Sequence, residues 1–199
     1  KQLIEQSKRV VIMGHTNPDM DCFGAALGIY RLCIMYGREA YIVLNEINDS
    51  LEAIYRQARE TDTYNFINNK KAESITDKET LVVLVDTHRP SYAENANLFT
   101  LTDKVVVIDH HRRAEDCIEN ATLSYIESYA SSAAELVSEI IQYAAPKKTL
   151  VKLEAEALLA GMTIDTNRFA VKTGVRTFEA AAWLRRAGAD TTEVKRFFQ

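Results

Sequence analysis

The chain has 199 residues, 47% of them hydrophobic and 26% charged, with 7 Gly and 3 Pro, a composition that excludes a disordered chain and favours one compact domain. Its formal net charge of −4 argues against a groove for long nucleic acid, because neutralising phosphates requires basic residues, but leaves room for a small anionic ligand. Three cysteines without Cys-x-x-Cys spacing exclude a disulfide framework and favour a reducing cytosol, and no apolar run reaches the ~18 residues of a membrane span.

The strands are predicted from short apolar runs rich in β-branched residues, a pattern typical of strands buried on both faces. Helical patterns lie between these runs. Alternating strands and helices predict an α/β fold with a doubly wound, mostly parallel sheet flanked by helices, formed by a single domain over residues 1–199. The predicted strands are Val10–Met13, Ala40–Leu44, Leu81–Val85 and Val105–Ile108.

Helix boundaries are predicted from capping residues. A Ser-x-x-Glu capping box begins one helix at Ser132, and this helix is expected to end before Pro146. Another helical pattern, over Glu193–Phe198, follows Asp190 and is unfinished where the chain stops, so we expect the chain to be part of a longer protein. Glycine is expected to close several helices, because it adopts the left-handed conformation of a C-cap without strain. The remaining predicted helices are Ala25–Tyr36 closed by Gly37, Leu51–Glu60 opened by Ser50, Leu153–Ala160 closed by Gly161, and Thr177–Ala187 closed by Gly188.

Two regions are left open by periodicity. Residues 61–80 are polar and are interpreted as a connector with room for one short helix. Met162-Thr163-Ile164 could form a last short strand or continue a helix, since three residues show no clear period. The pair Lys147-Lys148 is too short a run of charge to mark a domain boundary.

Acidic and imidazole side chains gather where the predicted strands end. All four histidines fall within a few residues of the carboxyl end of a predicted strand, and aspartates share these positions. In open α/β sheets ligands bind at this edge, so we expect the side chains to converge in one crevice. They are His15, Asp19 and Asp21 after the first strand, Asp86 and His88 after the third, Asp109, His110 and His111 after the fourth, and Asp165 after residues 162–164.

Each of these residues alone has a plainer explanation. A single Asp at a strand-to-helix turn is usually a helix N-cap, and a single His near a strand end is usually packed and hydrogen-bonded. The joint pattern differs, because so many carboxylates in one crevice need cations to neutralise them. Four carboxylates and two imidazoles balance two divalent ions and favour Mn²⁺, with Mg²⁺, Co²⁺ or Fe²⁺ as alternatives. Two such ions about 3.5–4 Å apart generate a hydroxide near neutral pH, which predicts phosphate-ester hydrolysis.

Four motifs, taken in chain order, resemble the metal motifs of DHH-superfamily phosphoesterases. The resemblance covers nearly the whole chain and is specific. It implies a DHH phosphoesterase domain with a dinuclear metal site. The motifs are His15-Thr-Asn-Pro-Asp19-Met-Asp21, Val85-Asp86-Thr-His-Arg-Pro, Ile108-Asp109-His110-His111 and Thr163-Ile-Asp165-Thr-Asn.

The resemblance also implies a role for each motif residue. His111 is expected to contact the scissile phosphate, and Asp109 is expected to orient a ligand histidine, as ligating imidazoles usually require. Asp86 is expected to serve both metals. By resemblance, one metal binds His15, Asp19 and Asp86, and the other binds Asp21, Asp86, His110 and Asp165.

Within the superfamily, the segments that begin at His15, Asp86 and Asp165 are most similar to the membrane-anchored cyclic di-AMP phosphodiesterases of Gram-positive bacteria. This resemblance implies a cytoplasmic domain of an anchored parent protein, which could be dimeric. A small cyclic dinucleotide is the expected substrate, opened to linear 5′-pApA by a hydroxide that bridges the metals, while His111 stabilises charge or protonates the leaving 3′-oxygen. The family places a DHHA1 substrate domain directly after the point where this chain ends.

Other functions stay open from the sequence. The same ligand set serves oligonucleotide hydrolases that also remove the 3′-phosphate of phosphoadenosine phosphate, and family II pyrophosphatases. A binding module that retains metal and nucleotide without turnover is a further alternative. The choice between adenine and guanine is not predicted.

Basic residues near the motifs could dock phosphates, although each is as readily explained as a solvated surface charge. Ser131 and Ser132 are interpreted as helix caps, and Cys22 as a thiol packed at a helix start rather than a metal ligand. The candidate substrate-binding residues are Arg89, Arg112 and Arg168, together with His111, and Arg113, Lys172 and Arg176 lie beside the same motifs.

Overall fold

The computed structural model of the protein describes residues 1–145 and 150–199. Pro146, expected to stop a helix, and the Lys147-Lys148 pair lie outside the described residues. Within the described ranges, no helix has the length and apolar character that crossing a bilayer requires.

The strands of the described residues form one six-stranded parallel sheet with the order β3-β2-β1-β4-β5-β6. This order confirms the predicted doubly wound α/β fold, and it places the topological switch point between β1 and β4, where such sheets open a ligand crevice. All four predicted strands are present. The strands are β1 Arg9–Met13, β2 Glu39–Val43, β3 Phe66–Ile67, β4 Thr80–Val85, β5 Val105–Asp109 and β6 Leu123–Ile126.

Helices flank the sheet and follow β6. One short 3₁₀ helix, Pro90–Tyr92, lies in the loop after β4. The α-helices are α1 Gln2–Glu5, α2 Met20–Met35, α3 Asp49–Glu60, α4 Asn69–Ile75, α5 Leu98–Leu101, α6 Ala133–Ala144, α7 Lys152–Asp165, α8 Val175–Arg186 and α9 Thr191–Arg196.

The two faces of the sheet pack against different helices. Side chains alternate along each strand, so Val10 and Ile12 enter one core while Val11 and Met13 enter the other. The first core is covered by α1, α2, α3 and α6 to α9, and the second by α4 and α5. In the thicker layer α2 packs very closely on α7. A Cβ on Gly24 would lie only 2.4 Å from the Ala157 carbonyl oxygen. Glycine is therefore required where these two helices meet.

Two helices extend beyond their predicted bounds. α2 begins at Met20 rather than Ala25, because Asp19 caps it: Asp19 Oδ1 accepts a hydrogen bond from Cys22 N at 2.9 Å. α7 continues through Gly161, so the expectation that Gly161 closes a helix is wrong, and residues 162–164 are helical rather than a strand. Asp165 accordingly ends a helix instead of following a strand.

Smaller differences have local causes. α3 begins at Asp49 after Asn48 rather than after Ser50, whose hydroxyl instead donates to Asn48 Oδ1. The connector 61–80 holds the expected short helix, α4, but also β3, which at two residues carries no apolar run. β6 was not predicted because its residues are exposed or half-buried. Gly37 and Gly188 have φ of 68° and 111°, as expected after a helix.

Candidate metal centre

Three loops meet at the carboxyl ends of β1, β4 and β5. The loop after β1 is tied to the loop after β4, because Thr16 N donates a hydrogen bond to Tyr92 O at 2.8 Å. An isolated antiparallel bridge pairs His15 with Ala93 at the same place. These contacts hold His15 against the end of β4, where Asp86 lies.

Asp86 is the residue around which the candidate site is arranged. Its φ is 63°, in the left-handed region that costs a non-glycine residue about 1–3 kcal/mol and that recurs at functional sites. The side chain is 2% exposed, and its two oxygens face different histidines. Oδ2 lies 3.2 Å from His15 Nε2, and Oδ1 lies 3.2 Å from His110 Nε2. One carboxylate therefore faces two separate groups of donor atoms.

The outer group consists of His15, Asp19 and the Oδ2 side of Asp86. His15 Nε2 lies 3.8 Å from Asp19 Oδ1, and the two side chains are 23% and 48% exposed. Asp19 is at once the N-cap of α2 and a member of this group, so the plainer explanation holds beside the functional one. The donor atoms of His15, Cys22 and Asp86 lie within 4.8 Å of one another, and the Cys22 thiol is buried at the start of α2 beneath Gly14.

The inner group consists of Asp21, His110, Asp165 and the Oδ1 side of Asp86. His110 Nε2 lies 3.6 Å from Asp21 Oδ2 and 3.1 Å from Asp165 Oδ2. Asp21 is fully buried, and its two oxygens accept hydrogen bonds from Ala133 N and Ala134 N, each at 2.8 Å. These amides begin α6, so the helix dipole stabilises the carboxylate.

Because residue 161 is glycine, α7 can pass close to Asp21 before it ends at Asp165. A Cβ at this position would lie 2.8 Å from Asp21 Cα and 3.0 Å from Asp21 Oδ1. Gly161, which was expected at a helix end, therefore allows the short distance between α7 and Asp21.

Strong electrostatic coupling marks both groups. Burial lowers the pKa of His15, but the neighbouring carboxylates of Asp19 and Asp86 outweigh burial and raise it to about 11. Burial likewise opposes the effect of Asp165 and Asp86 on His110, whose pKa is raised to about 10. For Asp21, burial and then the neighbouring Asp86 charge raise the pKa well above its ordinary value. The protein alone thus gathers more negative charge here than it can compensate without binding protons.

The donor set fits divalent cations. Asp86 Oδ1 and His110 Nε2 are buried, and neither has a hydrogen-bond partner among the described residues. Buried polar atoms without partners are costly, and cations placed between these donors would satisfy them. The structure brings together all the predicted metal-binding residues, in two groups that share Asp86: His15, Asp19, Asp21, Asp86, His110 and Asp165.

Asp109 contacts different histidines from those expected. Among the described residues, the side chain of Asp109 forms no hydrogen bond with the ring of His110; it accepts a hydrogen bond from the His110 backbone N at 2.8 Å. Its Oδ1 lies 2.7 Å from Nδ1 of His111, and its Oδ2 lies 2.6 Å from Nδ1 of His88. The expectation that Asp109 orients a ligand histidine is therefore corrected, because the β5 end turns the carboxylate toward His88 and His111. The hydrogen bond to Asp109 raises the pKa of His111.

A cavity of about 410 Å³ opens over the site and is lined by residues of both groups. Arg89 and Arg112 line it, as does His111, whose side chain is 56% exposed. Arg89 Nε is bound to Asp116 at 2.8 Å, and its guanidinium lies 4.3 Å from the centre of the Tyr92 ring, so its charge is partly compensated.

Arg168 lies elsewhere. It lines a separate cavity of about 470 Å³ with Phe169 and Phe198, because left-handed φ angles at residues 167–169 turn the chain away after α7. Its placement beside the metal groups is not supported. Arg176 is held by both oxygens of Glu139 at 3.0 Å.

Three contributors to the site were not predicted from the sequence. His88 was noted after its strand without a role, although its position two residues after Asp86 was a usable signal. Tyr92 lines the cavity and is 49% exposed, but no motif marks it. Gly161 could be recognised only from the packing of α7 on Asp21.

The fold and the paired donor groups define a DHH-type domain. The family model described as DHH family, N-terminal domain, matches residues 9–162, and the chain belongs to this family. Three of the four motifs that carry the resemblance lie inside this match, and the fourth begins at Thr163, directly after it.

Among curated proteins, the chain is 41% identical over its whole length to cyclic-di-AMP phosphodiesterase GdpP of Bacillus subtilis and 44% identical to cyclic-di-AMP phosphodiesterase PdeA of Listeria monocytogenes. It spans 31% of the length of each. It is also 30% identical, over 94% of its length and 56% of the relative, to the bifunctional oligoribonuclease and PAP phosphatase NrnA of Mycoplasma genitalium.

Solved structures show the same fold. An exopolyphosphatase-related protein from Bacteroides fragilis superposes with a TM-score of 0.78 at 20% identity, covering 98% of this chain and 57% of that one. A putative family II inorganic pyrophosphatase from Methanococcus jannaschii has a TM-score of 0.67 at 23% identity, covering 94% and 59%. At these identities the similarity concerns architecture alone.

Proposed function

We propose that this chain is the metal-binding domain of a phosphodiesterase that hydrolyses cyclic di-AMP to linear 5′-pApA, with Mn²⁺ as the preferred metal. The observation that carries the proposal is the split orientation of Asp86, whose two oxygens face His15 and His110 separately at 3.2 Å each. The 41–44% identity to two cyclic-di-AMP phosphodiesterases over the whole chain supports the choice of substrate.

Two cations would be held by the outer and inner groups, with Asp86 common to both. When bound, they supply a water of lowered pKa and neutralise charge on the phosphate. Four carboxylates against two divalent ions leave no net charge to repel a phosphodiester. Oxygen-rich ligation with two imidazoles favours Mn²⁺ over Mg²⁺.

The remaining polar residues act on the phosphate and the leaving group. His111 lines the cavity, and Asp109 holds its Nδ1, so Nε2 is the nitrogen available to the substrate. Hydrolysis adds water across the P–O3′ bond: the water oxygen joins phosphorus and its proton passes to solvent, the bond to the 3′-oxygen breaks, and His111 donates a proton to that oxygen and is then reprotonated from solvent. Asp109 stabilises the imidazolium before the proton leaves.

Phosphate docking is assigned to Arg112 and Arg89 on the cavity wall. Arg112 carries the larger share, because the charge of Arg89 is partly compensated by Asp116. Arg112 and Arg89 would contact the phosphate that is not cleaved, since a cyclic dinucleotide carries two. We assign base recognition to a following DHHA1 domain, and we place the chain on the cytoplasmic side of a membrane-anchored, dimeric parent protein.

The test uses the whole protein, Mn²⁺ and cyclic di-AMP, with the products separated by chromatography. We expect linear 5′-pApA in the presence of Mn²⁺ and none after the metal is chelated. Binding of cyclic di-AMP without a linear product would refute the proposal and favour a nucleotide-binding module.

A second candidate is supported by the 30% identity to NrnA. Under this alternative the protein cleaves short linear oligonucleotides and removes the 3′-phosphate of phosphoadenosine phosphate. Competition between cyclic di-AMP, a linear dinucleotide and phosphoadenosine phosphate separates the two, and preference for a linear substrate would overturn the first. Pyrophosphate is included in the same assay, because a pyrophosphatase shares the fold.

A further inference from the structure

His88 is a buried residue beside the metal groups that the proposed chemistry does not use. Its side chain is 2% exposed. Its Nε2 lies 2.8 Å from Ala114 N, its Nδ1 lies 2.6 Å from Asp109 Oδ2, and its backbone oxygen accepts a hydrogen bond from Ile118 N at 3.0 Å. A single residue thus connects the end of β4, the end of β5 and the segment 110–118.

These contacts determine where the ring proton of His88 lies. The amide of Ala114 can only donate, so Nε2 of His88 must be the unprotonated acceptor. The proton is then on Nδ1, where it is donated to Asp109 Oδ2. Asp109 Oδ1 remains for Nδ1–H of His111 at 2.7 Å.

We propose that His88 is a positioning residue that holds Asp109 between two imidazoles, so that His111 keeps a proton on Nδ1 and presents Nε2 to the substrate. The same residue anchors the segment 110–118, which carries Arg112 on the cavity wall. The role of His111 in turnover rests on the proposed function, whereas the tautomer assignment rests on the hydrogen bonds alone.

Two substitutions separate the two ring contacts. An Asn amide can take the place of the imidazole Nδ1, and a Gln amide can take the place of Nε2. His88→Asn therefore keeps a donor to Asp109 and loses the acceptor for Ala114 N, while His88→Gln does the reverse. The pair is matched, since both variants are neutral amides at one position.

Kinetics of the whole protein on cyclic di-AMP give the first readout. We expect His88→Gln to lower kcat by about 10-fold or more, with KM and metal content unchanged. Losses of this size are typical when a residue that orients a functional side chain is replaced. His88→Asn is expected to keep kcat within about two-fold of the wild type. Equal losses in both variants, or a loss in His88→Asn alone, would overturn the role through Asp109.

Nuclear magnetic resonance of the chain labelled with ¹⁵N-histidine gives a readout that does not depend on turnover. The chain has 4 histidines, so each ring can be assigned from single variants. With Mg²⁺ as a diamagnetic metal, we expect His88 as the neutral Nδ1–H tautomer, His111 with Nδ1 protonated, and a changed His111 signal in His88→Gln but not in His88→Asn. An Nε2–H tautomer at His88 in the wild-type chain would refute the inference even if both variants fail to fold. If cyclic di-AMP is not hydrolysed at all, the proposed function fails and this spectrum still tests His88.

Discussion

The outer and inner groups share Asp86 but differ in what surrounds them. His15 and Asp19 are 23% and 48% exposed, whereas His110 and Asp21 are 5% and 0% exposed. Asp21 is further fixed by two amides at the start of α6. Both groups therefore combine imidazole and carboxylate donors, but the outer group lies at the protein surface and the inner group lies in the core. We expect a cation bound by the outer group to exchange more readily than one bound by the inner group, because the outer side chains are the more exposed.

Replacing Asp86, which both groups share, should disrupt the outer and inner groups together. In Asp86→Ala we expect both cations to be lost and activity to fall by more than roughly 100-fold. This exceeds the roughly 10–100-fold loss that is typical when a residue hydrogen-bonded to a metal ligand is replaced. Elemental analysis and steady-state assays measure the two effects. Asp103→Ala, an exposed aspartate just before β5, is the control. Full Mn²⁺ occupancy in Asp86→Ala would contradict the bridging assignment.

Removing one charge from each group should separate them. We expect chelator to release Mn²⁺ from the wild type in a fast and a slow phase, with Asp19→Asn losing the fast phase and Asp21→Asn the slow one. Asp19→Asn should leave stability unchanged, since Asn caps helices as well as Asp. Asp21→Asn should cost about 1–3 kcal/mol, because an amide can accept from only one of Ala133 N and Ala134 N. Loss of the same phase in both variants would show that the groups are equivalent.

Crowding the inner group without touching a ligand should weaken it selectively. Gly161→Ala places a methyl group 2.8 Å from Asp21 Cα, and overpacking of this kind costs about 1–3 kcal/mol. Urea unfolding and the slow phase of Mn²⁺ release measure the effect. Gly174→Ala is the matched control, because a Cβ there meets nothing within 4 Å. If the fast phase changes instead, Gly161 does not act through Asp21.

Proton release should accompany metal binding. In the metal-free chain His15 and His110 stay protonated up to pH of about 11 and 10, and the stability from these protons is lost as pH rises through those values. Because a ligand imidazole must be neutral, each cation displaces protons, and Mn²⁺ affinity should rise with pH below about 10. Calorimetry in two buffers of different ionisation enthalpy counts the protons. A Mn²⁺ affinity that does not change between about pH 6 and about pH 8, one unit either side of neutrality, would contradict the raised pKa values.

The outer group was more predictable from sequence than the inner group. His15 and Asp19 follow a clear apolar strand within one motif, so spacing alone places them together. The element before Asp165 was left open between a strand and a helix, because periodicity over three residues cannot distinguish the two, and Asp165 ends a helix. The packing of Gly161 on Asp21 could not be predicted for a different reason, since no local sequence pattern indicates which residue a glycine packs against.

The central sheet was predictable because buried parallel strands are continuous apolar runs. β3 and β6 lie at the two edges, where one is short and the other exposed, and such strands leave no hydrophobic signature. The hydrogen bonds of Asp109 also lay beyond the motif, since the residue adjacent in sequence, His110, is not the one whose ring it contacts.

The position of Asp165 at the end of α7 has a consequence for the order of events in synthesis. The chain emerges from the ribosome N-terminus first, so His15, Asp19 and Asp86 can assemble with β1 and β4 while the inner group still lacks a ligand. Closing that group requires a contact between Asp21 and residues far along the chain, which is a slow, non-local step. A cation that binds during synthesis would bind the outer group first. Binding of a second cation by the inner group would require that α7 has packed against Asp21.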